Sequence, residues 1–133
     1  MTRRLRTVTP EYTLADVRDI FEKEHFRHLP VLEGNKLVGI ISRTDLMRIT
    51  YGVALANDTA DGDDVNELLL TATSVGEAMT ADVRTIEPGS PLSEAARFVV
   101  HDQISALPVV GDEGLLGIVT TTDILNRYIH LYH

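Results

Sequence analysis

The stretch "LVGIISRTDLMR", Leu37 to Arg48, comes back as "LLGIVTTTDILN", Leu115 to Asn126. Each version is a run rich in Leu, Ile and Val that ends in Ser/Thr-x-x-Asp, the pattern of a strand running into a helix. The likeness extends in both directions. Sliding the chain by 78 residues sets Met1 on Met79 and Ile49 on Arg127 with no gap, and fourteen of the 49 aligned positions are identical. Among them are Pro10/Pro88, the Leu-Pro-Val of 29–31 and 107–109, Gly39/Gly117 and Asp45/Asp123. Pro, Gly and Asp kept in register along the whole span mark an internal duplication.

Each copy reads as β-α-β-β-α. "RTVTP" and "RTIEP" read as short first strands that stop at a Pro. "TLADVRDIFEKEH" puts Leu14, Val17, Ile20 and Phe21 on one helical face, and "PLSEAARFVVHD" does the same with Leu92, Ala95, Phe98 and Val99. Two apolar runs follow, split by Glu33-Gly34-Asn35-Lys36 or by Gly111-Asp112-Glu113-Gly114, a hairpin signal. A second helix, opened by Asp45 or Asp123 as N-cap, closes each copy. About fifty residues is near the lower limit for an independent core, so the copies are expected to pack on each other. Between them, "NDTADGDD" reads as a solvated acidic loop and "VNELLLTA" as a helical turn or two. The acidic run lacks the regular ligand spacing and distal Glu of a calcium loop.

Composition narrows the function. The chain of 133 residues is 44% hydrophobic and 24% charged, as expected of a globular domain. A net charge of −8 disfavours nucleic acid and anionic membranes, whose binding rests on Lys and Arg. Absence of cysteine excludes disulfides and thiolate sites. No apolar run reaches membrane-span length, and no apolar signal region follows "RRLR", so a cytoplasmic protein is the expectation. Neither a Ser-His-Asp set, nor paired carboxylates, nor a P-loop is present, and the chain is read as no enzyme. His25/His28 and His130/His133 are three apart, but nothing completes a tetrahedral metal site around them.

The repeated junction offers chemistry of another kind. The Gly in Gly-Ile-Ile-Ser and Gly-Ile-Val-Thr lets another group approach the strand closely. A carboxylate at the following helix can cap it, and can also accept two hydrogen bonds from a ribose diol, with Ser42 or Thr120 adding a hydroxyl and the helix N-terminus favouring phosphate.

Taken together, "VTPEYTL" and "IEPGSPL", "HLPVL" and "ALPVV", and "LVGIISRTDL" and "LLGIVTTTDI" resemble a tandem pair of CBS (cystathionine-β-synthase) domains, a Bateman module. "VGEAMT" is similar to the family's lead-in helix. The resemblance implies an α/β fold of two pseudo-symmetric β-α-β-β-α repeats packed sheet to sheet. It places repeat 1 at 1–51 without its lead-in helix, a linker at 52–73 and repeat 2 at 74–133. It also implies a regulatory module that binds AMP, ADP or ATP, with or without Mg and with no obligatory cofactor, in clefts between the repeats.

Carried over by position, Asp45 and Asp123 match the ribose-binding Asp, and Ser42 and Thr120 the hydroxyl before it. Phe26, Arg27 and His28, with Ile104, Ser105 and Ala106, match positions beside the adenine or phosphates, as do Thr7 and Thr85 on the first strands. The Asp45 cleft is then completed by Ile104, Ser105 and Thr85, and the Asp123 cleft by Phe26, Arg27 and Thr7. Arg27, His28 and Arg43 surround Asp45, whereas Ser105, Ala106 and Thr121 surround Asp123, so a charged nucleotide is expected to prefer Asp45. The competing reading is a structural dimerisation module with empty clefts, since "DLMRITYGVALA" and "DILNRYIHLY" carry apolar faces suited to a second subunit. A homodimer, and an effector domain or partner protein, fit either reading. With Met1 aligned inside the motif, the sequence also reads as a piece of a longer protein.

Overall fold

A computed structural model describes residues 3–56 and 62–132. The elements run α1 (Leu14–Lys23), β1 (His28–Glu33), β2 (Lys36–Ser42), α2 (Arg43–Ala56), α3 (Gly62–Ala72) and α4 (Val75–Ala78). They continue with α5 (Leu92–Asp102), β3 (Ala106–Gly111), β4 (Gly114–Thr120) and α6 (Thr121–Tyr132). β1 pairs with β2 and β3 with β4, giving a mixed α/β architecture with one hairpin in each copy. In the second hairpin Ala106 faces Thr120 and Leu107 faces Val119, with a bulge between Val109 and Val110. Gly34 (φ 63°) and Gly114 (φ 116°) take the left-handed turn positions that a β-carbon would disfavour.

The expected first strands shrink to single bridges. Val8 lies parallel to Val31, donating its N–H to the Pro30 carbonyl at 3.1 Å and accepting from Leu32 N–H at 2.8 Å. Ile86 repeats this beside Val109, with bonds of 3.0 and 2.9 Å to Pro108 and Val110. The ladder stops because the chain turns at once, Tyr12 N–H reaching the Thr9 carbonyl and Ser90 N–H that of Glu87.

The described residues form two compact units, one of Arg6–Glu33 with Val38–Ala81, the other of residues 3–5, 34–37 and 82–132. The core of the first is Val8, Leu14, Val17, Ile20, Phe21, Leu29, Val31, Ile41 and Leu46, joined by Leu70 of α3 and Val75 of α4. The amphipathic spacing of α1 accounts for Leu14, Val17, Ile20 and Phe21 in it, and Thr13 with Asp16 closes a capping box at its start. The core of the second unit is Ile86, Ala95, Leu107, Val109 and Val119, with Phe98, Ile104 and Ile124 packed against it. Leu92, expected on the buried face of α5, is exposed.

Two stretches depart from the sequence reading. The acidic run was expected to be a loop, but Gly62, Asp63 and Asp64 belong to α3; its remaining residues, 57–61, lie outside the described residues. Composition alone does not separate a solvated loop from the start of a helix. Glu67 of α3 binds Arg18 of α1 through two guanidinium nitrogens. The lead-in "VGEAMT" packs in the first unit: Leu14 N–H donates to the Thr73 carbonyl, Val75 N–H to that of Tyr12 and Gly76 N–H to that of Pro10. Beyond α4, Thr80 and Ile40 exchange backbone hydrogen bonds of 2.9 and 3.0 Å. The group that approaches Gly39 closely is therefore polypeptide, namely Met79 and Thr80.

Candidate functional site

Both strand-to-helix junctions are built alike. Ser42 N–H donates to Asp45 Oδ2 at 3.0 Å, and Asp45 N–H returns a bond of 3.0 Å to Ser42 Oγ. Thr120 N–H donates to Asp123 Oδ2 at 2.9 Å, and Asp123 N–H reaches Thr120 Oγ1 at 3.2 Å. These are capping boxes in which the hydroxyl residue is the N-cap and the Asp sits three residues on. The expectation that Asp45 and Asp123 are themselves the N-caps is thus corrected; each carboxylate reaches back to the cap's own N–H. A further bond ties in the residue ahead of the hairpin, Arg43 N–H to the Arg27 carbonyl (2.9 Å) and Thr121 N–H to that of Ser105 (3.1 Å).

In the first unit this geometry gathers Arg27, Ser42 and Asp45 at one junction, with His28 opening β1 beside it. His28 is half-buried, and burial lowers its pKa; the charge of Asp45 opposes the shift and that of Arg27 reinforces it. Arg43 points elsewhere. Its guanidinium donates to the Phe21 carbonyl at 2.6 Å and lies 5.6 Å from the Phe21 ring centroid, so it clamps the last turn of α1. A cation the sequence reading passed over stands closer: Arg48 Nη1 lies 3.7 Å from Asp45 Oδ1, one helical turn along. The spacing from Asp45 was its only signal.

The second unit brings together Ser105, Thr120 and Asp123, and Thr121 Oγ1 adds a 3.4 Å bond to the Ser105 carbonyl. Asn126 occupies the position of Arg48, and Ala106 that of His28. Phe26 and Ile104 are partly buried against the core of their own unit. Thr7, half-buried, and Thr85, exposed, adjoin the bridging Val8 and Ile86. Among the described residues no cluster of three or more His, Asp or Glu could hold a metal, and no helix is long and apolar enough to cross a membrane.

The burial of His28 gives stability a pH dependence. An unfolded His takes up its proton as pH falls through about 6.5, whereas folded His28 resists protonation. The unfolded chain then binds more protons, so the His28 contribution is intact above that range and is lost as pH falls below it. Urea midpoints between pH 7.5 and 5 are expected to fall less steeply in His28→Gln than in the parent; identical slopes would refute this assignment.

A duplicated helix–hairpin–helix unit with an acidic capping box in each copy defines a tandem α/β module. The CBS domain family model matches residues 1–52 and 75–130, and the chain belongs to that family. The MJ1225 protein of Methanocaldococcus jannaschii is 36% identical over 130 residues, which cover 96% of this chain and 45% of that one. The chain thus spans less than half of that relative. The solved CBS pair of protein MJ0100, in complex with 5′-methylthioadenosine and S-adenosyl-L-methionine, superposes with a TM-score of 0.77 at 26% identity, covering 98% of this chain and 93% of that one. CBSX2 from Arabidopsis thaliana in complex with AMP gives a TM-score of 0.77 at 25% identity, covering 100% and 95%.

Proposed function

We propose that this chain is a regulatory module that binds an adenosine-containing ligand, with Asp45 and Asp123 as ribose anchors. The duplicated capping box carries the reading. In each box one carboxylate oxygen is held by the cap N–H. The other oxygen, and the second lone pair of the first, can accept from the two hydroxyls of a ribose. A carboxylate fixed before the ligand arrives loses little entropy on binding, and its hydrogen bonds are charge-assisted. The solved relatives that hold AMP, 5′-methylthioadenosine and S-adenosyl-L-methionine support the ligand class.

The two anchors differ in charge. Arg27, His28 and Arg48 stand around Asp45, whereas Ser105, Ala106 and Asn126 hold the equivalent positions around Asp123. AMP, ADP or ATP therefore belongs at Asp45, where Mg can accompany the longer phosphates, and an adenosyl group without phosphate at Asp123. Phe26, Thr7, Ile104, Ser105 and Thr85 are the flanking residues of this reading. The module acts by passing its ligand state to an effector domain or partner in a cytoplasmic setting.

Calorimetric titration of AMP and ATP into the parent, Asp45→Asn and Asp123→Asn tests this, because Asn keeps the cap acceptor while removing the charge. Loss of charge-assisted bonds of about 1.5–3 kcal/mol predicts a ten- to hundredfold fall in ATP affinity for Asp45→Asn and little change for Asp123→Asn. Equal losses would sink the asymmetry. A second reading, association through helices, is favoured by exposed Met47 and Tyr51 on α2 and Leu125, Tyr128 and Ile129 on α6. A parent chain that binds no adenosine compound yet sediments as a dimer would select it.

A further inference from the structure

The two capping boxes repeat the same backbone bonds and differ in what stands against the second carboxylate oxygen. In each, the cap N–H holds Oδ2, at 3.0 Å in Asp45 and 2.9 Å in Asp123. Oδ1 of Asp45 faces Arg48 Nη1 at 3.7 Å. Asn126 stands three residues beyond Asp123, and among the described residues no cation pairs with that carboxylate. Arg43, the other cation at the start of α2, is committed to the Phe21 carbonyl and ring. The Asp45–Arg48 pair is loose. Its separation exceeds hydrogen-bonding distance, the Arg48 side chain is 75% exposed, and water and salt screen its charge.

We infer that Arg48 sets the specificity of the Asp45 anchor by competing with the ribose for Oδ1, and so selects against adenosyl ligands that carry no phosphate. The inference rests on the ribose-anchor reading above. A ribose hydroxyl that donates to Oδ1 takes the place of a cation. A neutral nucleoside offers that cation nothing in return, so part of its binding is offset by the broken ion pair. A phosphate chain brings a second anion. Arg48 then leaves the carboxylate for phosphate oxygens, which its planar fork matches in two parallel bonds. Its exposure leaves the side chain free to make that exchange. One residue thus works in both directions, drawing in phosphorylated ligands and disfavouring the rest. Asp123, with Asn126 at the equivalent place, does neither.

Calorimetry with adenosine and ATP tests this on the full chain carrying Asp123→Asn, which removes the charge of the second anchor. Adding Arg48→Asn is expected to weaken ATP about tenfold, through loss of a charge-assisted contact. The same substitution is expected to tighten adenosine about two- to fivefold, through release of an exposed ion pair. Salt separates the two ligands further. With Arg48 present, added NaCl should weaken ATP and tighten adenosine; in the Arg48→Asn variant adenosine should no longer respond. Arg48→Lys keeps the charge and should retain the preference for ATP and the opposed salt responses. Adenosine affinity that stays level or falls in Arg48→Asn overturns the inference even where ATP weakens, because Arg48 would then only attract phosphate. A chain that binds neither compound overturns the ribose-anchor reading along with it.

Discussion

Leu14→Ala is expected to cost about 4 kcal/mol, and Leu92→Ala about 1, although the two residues are the same position of a duplicated helix. Leu14 is fully buried among Val8, Val17, Phe21, Leu70 and Val75, elements fixed by the backbone bonds of α4 and the turn before α1. Truncation there leaves a cavity whose walls are tied down and cannot collapse, which is the upper end of the range for such changes. Leu92 has lost part of that enclosure, so alanine removes less buried surface and leaves no closed void. Urea unfolding of both variants beside the parent checks the difference. Equal losses would mean that the edge of α5 is covered in solution as that of α1 is.

The same pair shows where a sequence stops being legible. The duplication was readable because its identities fall on residues with few substitutes: Pro in a turn, Gly where chains approach, Asp at a helix start. Helical periodicity then put Leu14 and Leu92 on equivalent faces, correctly as far as the helix goes. What periodicity cannot carry is whether a distant segment covers the face, and Thr73–Val75 is distant. Arg43 fails for a related reason. It stands next to a candidate anchor in sequence, but its side chain closes on Phe21, a partner no local pattern reveals. The junctions were legible in residue type and misread in role, because Ser42 and Asp45 satisfy each other and either alone looks like the cap. The start of α3 was read by composition, which does not distinguish a solvated loop from the first turn of a helix.

Gly39→Ala is expected to destabilise the chain by about 3 kcal/mol, a large effect for one added methyl group. An alanine β-carbon would lie 2.9 Å from Met79 Cγ and 2.9 Å from the Thr80 carbonyl oxygen, closer than real β-carbons come. The Met79 side chain can swing aside. The Thr80 oxygen cannot, because it accepts from Ile40 N–H while Thr80 N–H donates to the Ile40 carbonyl. Relief therefore breaks two hydrogen bonds of about 1 kcal/mol each or leaves strain of about 1–3 kcal/mol. Gly89→Ala, with nothing within 4 Å of the new carbon, is the control and should change stability by less than about 0.5 kcal/mol. In Gly39→Ala the Ile40 and Thr80 amides should lose their exchange protection; a variant as stable as the parent with both still protected would refute the close approach. The consequence reaches the candidate site, since β2 runs from Gly39 directly into Ser42. A strand pushed off its neighbour tilts the capping box that holds Asp45, so under the function proposed above the same substitution should weaken ligand binding at Asp45 and leave the Asp123 box untouched.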